Sequence, residues 1–228
     1  MKIPRGNEEE TDPNNKTGNT GERKDNMNIT ISKKLLNQAR DVILTSREQC
    51  AAIDAQRDAL PKIDPKRDGR LAVERRNRDL SEMEQAKAAI MDQGAATLKA
   101  LRAQYDAALA DQVTPKGADL DNPDYVLIRD ELIDSPTQLK ALAARHDNYA
   151  FARAVQRYAK ARHWEGFDQG VTTAQAIGKA AQEYGKTYFD MCDVAVYHLD
   201  GLAAMQVCDE DEITRKASAY GVLGNLGD

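Results

Sequence analysis

Two stretches of this chain carry side chains whose types and spacing could do chemistry. The first holds Asp190, Cys192, Asp193 and His198, four potential metal ligands close together in sequence. On a helix Asp190 and Asp193 share a face, but His198 stands more than a turn beyond them. A closed site would therefore need ligands brought from elsewhere. The plainer reading is a solvated acidic face beside a core cysteine.

The second stretch runs from Lys140 to His163, where Asp147 is the one acid against Lys140, Arg145, Arg153, Arg157, Lys160 and Arg162. Arg145, Arg153, Arg157 and Lys160 would form a basic face, with Tyr149 and Trp164 close enough in sequence to add stacking. Such a face could enter a nucleic-acid groove from the second helix of a helix-turn-helix, although the turn lacks the usual glycine. The same face would also suit the acidic run Asp209 to Glu212 or a neighbouring subunit, or simply face solvent.

Nothing else points to a reaction. The sequence has no P-loop, dinucleotide fingerprint, G-x-S-x-G or H-E-x-x-H, so neither an enzyme nor a bound cofactor is expected. Cys50, Cys192 and Cys208 are odd in number and far apart, which suits buried thiols better than a disulfide framework or a thiolate metal site.

Helices must position these residues. The 228 residues are 41% hydrophobic and 30% charged, with one Trp, eight Tyr and three Phe. That is the balance of helical and coiled-coil proteins. A net charge of -5 argues against a general polyanion binder. No apolar run approaches the length that spans a bilayer, and no apolar signal segment opens the chain, so a cytoplasmic protein with no membrane partner is expected.

Residues 1–29 read as a disordered tail, too polar to anchor a core. Residues 30–113 read as an antiparallel coiled-coil hairpin. Ser32 caps a first helix from Lys33 to Leu60, in which Leu36, Ala39, Ile43, Cys50 and Ile53 repeat in steps of three and four. Pro61, Pro65 and Gly69 interrupt it. A second helix from about Leu71 to Gln112 carries Leu80, Met83, Ile90, Leu98 and Leu101, with a stutter at Gly94. At 1.5 Å per residue the two would be about 40 and about 60 Å long, so part of the second must find another partner, in this chain or in a second copy. Between them, Lys66 to Arg78 carries charges spaced for ordinary helix ion pairs and reads as a solvated face.

Residues 114–124, with two prolines and a glycine, read as a linker. Residues 125–228 read as a compact helical domain, since ten of the aromatics lie beyond Tyr125. Within it Ser135-Pro136 opens a short helix with Leu139 and Leu142 on one side. His146-Asp147-Asn148 turns the chain, and a second helix buries Phe151, Val155 and Tyr158. Trp164 to Gly170 reads as a loop with two exposed aromatics. A long helix follows from Thr172 or Thr173 through Leu202, then a last helix opened by the Asp209–Glu212 run. The glycine-spaced end from Gly221 is expected to fray.

The segment LKALAARHDNYAFARAVQRYAKA, Leu139 to Ala161, resembles a pattern in small helical proteins of bacteriophage head-assembly gene clusters. The charged hairpin beside it resembles scaffold-like or accessory capsid proteins. The likeness covers about a tenth of the chain and implies no catalytic residues. It implies a host cytoplasm or a virion as the location. The expected protein is all-α and non-enzymatic, a self-associating assembly or adaptor protein whose partner is another copy or another assembly protein. Its seam would be Leu36, Ile43, Ile53, Leu80, Met83, Ile90, Leu98 and Leu101, side chains that could equally be intramolecular core. The competing expectation is a nucleic-acid-binding protein using residues 135–163.

Overall fold

In a computed structural model, residues 29–64, 66–114, 120–146 and 148–227 are described. The expected tail lies outside them apart from Ile29, which is buried against the core rather than loose. The protein is all-α, with eight α-helices among the described residues.

Three long helices make the body. Helix α1 (Lys33–Ala59) begins where the Ser32 hydroxyl accepts the Leu35 amide at 3.3 Å. Helix α2 (Gly69–Val113) runs antiparallel to it. Gln112 exchanges hydrogen bonds with the Thr30 backbone, Gly94 sits beside Val42 and Ser46, and Lys87 meets Asp54. Helix α6 (Gln169–Tyr197) is antiparallel to α2 as well, since Arg102 reaches Asp190, Tyr105 reaches Ala181 and Asp92 reaches Tyr197. The expected shortage of partners for α2 is thus met partly inside the chain.

The shared core takes Leu36, Ala39 and Ile43 from α1 and Leu98, Leu101, Tyr105 and Leu109 from α2. From α6 it takes Tyr184, Tyr188, Phe189, Cys192 and Val196. Tyrosine brings a hydroxyl into this apolar space, and each hydroxyl finds a carbonyl. Tyr105 donates to Ala181 (2.8 Å), Tyr184 to Ile213 (3.0 Å) and Tyr188 to Leu36 (3.4 Å).

After α6 the chain turns at His198–Gly201 instead of continuing to Leu202, and α7 (Leu202–Cys208) and α8 (Glu212–Ala219) close the body. The acidic run does open α8, but it serves its own helix. Glu212 is buried, pairs with Arg215 and lies 3.4 Å from Lys216 Nζ. It is therefore not the partner of the basic face. The end of the chain does not fray either. Val222 is buried, and β2 (Leu226–Gly227) pairs in parallel with β1 (Ile31–Ser32), Leu226 opposite Ile31. Gly227 leaves room there for the Thr30 side chain, whose Cγ2 would stand 2.5 Å from an added β-carbon.

Helices α3 (Pro123–Arg129), α4 (Pro136–Ala143) and α5 (Tyr149–Ala161) hold a second, smaller core of Ile128, Ile133, Leu139, Leu142, Phe151, Val155 and Tyr158. Asn122, Ser135 and Asn148 cap the three helices in turn. The Tyr158 hydroxyl donates to the Ile133 carbonyl at 2.9 Å and accepts its amide at 3.3 Å, which ties the α3–α4 connection to α5. The two cores therefore do not divide at residues 114–124. Helices α6–α8 belong with α1 and α2 in one body, because that is where the aromatic face of α6 finds matching apolar surface. The expected C-terminal bundle is in fact the small α3–α5 unit alone.

Candidate functional site

The eight residues of the expected seam fall into two groups. Leu36, Ile43 and Leu98 are completely enclosed and Leu101 nearly so, all within the three-helix body. They are intramolecular core. Ile53, Leu80, Met83 and Ile90 are only half-buried. The reason is where α6 stops. Its last turn meets α2 near Asp92, and past that level α1 and α2 continue as a two-helix arm.

Among the described residues from 51 to 93 none is buried. Ile90 still packs against the body. Ile53, Leu60, Ile63, Val73, Leu80 and Met83 are all half-covered, and Leu71 near the tip is 80% exposed. Two helices can shield only the side on which they meet, so an apolar stripe wider than that contact keeps a wet edge.

The arm is nevertheless built to hold its shape. Lys87 Nζ lies 3.0 and 2.9 Å from the two Asp54 oxygens, and Arg57 adds a contact to Asp54 at 3.0 Å. The hydrogen bond from Lys87 holds the Asp54 carboxyl below the usual carboxylate range, and the Lys87 ammonium is raised in return. At the tip the Asp64 carboxylate accepts the Lys66 amide (2.9 Å) and the Asp68 carboxylate accepts the Asp64 amide (2.8 Å). Arg76 donates to the Pro61 carbonyl and so fastens the turn to α2. In Lys66–Arg78 the expected ion pair forms between Arg70 and Glu74 at 2.6 Å.

The second candidate is the α4–α5 unit. Its fold follows the sequence closely, with Pro136 at the first position of α4 and the Asn148 side chain accepting the Phe151 amide at 2.7 Å. Of the four basic residues, Arg145 lies 3.8 Å from Asp124, and Arg153 bonds and stacks on Tyr149. Arg157 and Lys160 are exposed and make no ion pair among the described residues. The two aromatics expected to be exposed are half-covered instead. The Arg162 guanidinium lies 3.8 Å from the Tyr158 ring centre and 5.9 Å from that of Trp164, and Lys140 lies over Phe167. Each of these rings thus already has a cation of the same chain beside it.

The metal-like quartet does not converge. Asp190 and Asp193 lie 2.8 and 3.7 Å from Arg102, while Cys192 points into the core, where burial pushes its thiol up. Among the described residues no group of three or more His, Cys, Asp or Glu side chains is placed to hold a metal ion. Ile63 is the arm residue that the sequence concealed. It lies between Pro61 and Pro65 and reads as loop, although its side chain is half-covered at the end of the arm.

Compared with family models, curated proteins and solved structures, the chain matches none.

Proposed function

We propose that this chain is a non-enzymatic assembly or adaptor protein that associates with further copies of itself through the α1–α2 arm. One observation carries the reading. A body with a completed core extends a long helical arm whose apolar edge, Ile53, Leu60, Ile63, Val73, Leu80 and Met83, is left half-covered. Helices gain most of their stability from covering such faces, so a projecting pair with a wet edge suits a further helical partner. The resemblance of Leu139–Ala161 to phage head-assembly proteins points the same way, toward virion morphogenesis in a host cytoplasm. Light scattering on the purified protein tests the reading. Mass should rise above one chain as concentration increases, and a strict monomer at micromolar concentration would sink it.

A second reading, nucleic-acid binding through Arg153, Arg157 and Lys160, keeps one specific support: Arg157 and Lys160 are exposed without an ion pair among the described residues. Binding to duplex DNA or RNA at low salt should then weaken steeply as salt rises, and weaken further in Arg157→Ala/Lys160→Ala. Absence of low-salt binding removes this reading.

A further inference from the structure

Charge is segregated along the arm. Residues 60–78, around the tip, hold seven basic residues against three acidic, a net of +4. The flanking parts nearer the body, 51–59 and 79–93, hold six acidic residues against two basic, a net of -4. Most of these side chains are exposed, including Lys62, Lys66, Arg67, Arg70 and Arg75 at the tip and Asp58, Glu82 and Glu84 nearer the body. The half-covered apolar residues run through both zones, from Ile63 and Val73 in the basic one to Ile53 and Met83 in the acidic one.

From this we infer that the arm's occupant is the arm of a second copy, laid antiparallel so that each basic tip rests on the acidic base of the other. The inference rests on the reading that the arm is where copies associate, and it adds the orientation and symmetry. Side by side in the same direction, two arms would set +4 against +4 and -4 against -4. Laid head to tail they set unlike charges together at both ends while their apolar edges meet between. Flanking charges set the orientation of helix pairs in this way. Such a contact is isologous, because whatever one chain offers the other offers in return. It closes as a two-fold dimer with the two bodies at opposite ends. The α2 part of the arm, residues 69–93, is about 37 Å long at 1.5 Å per residue. The two bodies would therefore stand apart, held by a four-helix centre.

The experiment uses the full chain and sedimentation to follow association. A tip variant, Lys66→Glu/Arg67→Glu/Arg75→Glu, and a base variant, Glu82→Lys/Glu84→Lys, change exposed side chains and leave the apolar edge intact. Each alone should associate at least about tenfold more weakly than the unaltered chain, and an equimolar mixture of the two should recover part of the loss, since one of the two tip-to-base contacts is restored. Association of the unaltered chain should weaken as salt rises. A short amine-to-amine crosslinker on a mixture of isotopically light and heavy chains should join Lys66 of one copy to Lys87 of another.

A chain that stays monomeric overturns the inference together with the proposed function. A dimer whose crosslinks join Lys66 to Lys66, whose association strengthens with salt, or whose tip variant associates as well as the unaltered chain overturns the antiparallel arrangement alone. Self-association would still stand in that case.

Discussion

Gly185 on α6 lies flat against the ring of Tyr105 on α2, so close that a β-carbon there would stand 2.0 Å from Cε1 and 2.6 Å from Cζ. The same ring donates its hydroxyl to Ala181, one turn earlier on α6, and packs edge-on to Phe189, one turn later. A tyrosine so held on both sides cannot slide away. Gly185→Ala should therefore destabilise the body by about 1–3 kcal/mol, the usual cost of overpacking a core, read as a lower midpoint in thermal unfolding. Unchanged stability would mean that α2 and α6 do not meet as closely as described.

Gly94 does the same work where α1, α2 and α6 come together. An added β-carbon would stand 2.7 Å from Val196 Cγ2 and 3.1 Å from Ser46 Oγ. Gly94→Ala is expected to cost about 1–3 kcal/mol. Because Val196 is the nearest obstacle, Val196→Ala in the same chain should cost less than the two single changes together, a coupling of about 0.5 kcal/mol or more. Strict additivity would contradict this packing.

The ion pair in the arm sets a direction for its response to pH. Asp54 is held below the usual carboxylate range, first by the hydrogen bond from Lys87. Its contribution is present above the carboxyl value of the unfolded chain and is lost as pH falls through the lower folded value. Lys87 is raised, so its contribution is present below the unfolded lysine value and is lost as pH rises through the higher folded one. Between those limits the pair is intact. Thermal unfolding of the unaltered chain and of Asp54→Asn, compared over an acid series, should differ at neutral pH and converge once the carboxylate is protonated. A difference that persists at strongly acid pH would contradict the assignment.

The three thiols should react in a fixed order. Burial pushes all three thiols up, so access decides: Cys208, at the end of α7, is half-exposed, whereas Cys50 is buried and Cys192 wholly enclosed. Because a maleimide must reach the sulfur, a time course followed by mass spectrometry should modify Cys208 first and Cys192 only on unfolding. Early labelling of Cys192 would show that α6 is not seated as described.

Helix positions were legible wherever local chemistry decided them. The Ser32, Ser135-Pro136 and Asn148 caps, the break at Pro61 and the buried face of α5 all follow from residue types a few positions apart. Partnership was not legible. Leu36 and Leu80 occupy similar places in a repeating pattern, yet Leu36 is enclosed and Leu80 is not. The difference is made by α6 and α7, which pack on α1 from more than 130 residues further along the sequence than Leu36. The apolar run of Val222 and Leu226 was hidden among glycines, so the pairing of the chain's end with Ile31 left no local mark. The unequal lengths of the first two helices were the one sequence signal that the longer would need a further partner.

On the function proposed above, the half-covered side of the arm joins copies of this chain. Sedimentation equilibrium of the unaltered protein beside Leu80→Ser/Met83→Ser tests it most directly, with circular dichroism confirming that the variant keeps its helix content. The unaltered chain should associate reversibly, and the variant with an association constant lower by at least about tenfold, equal to about 1.4 kcal/mol. Equal association of a fully helical variant, or no association by either protein, would contradict it.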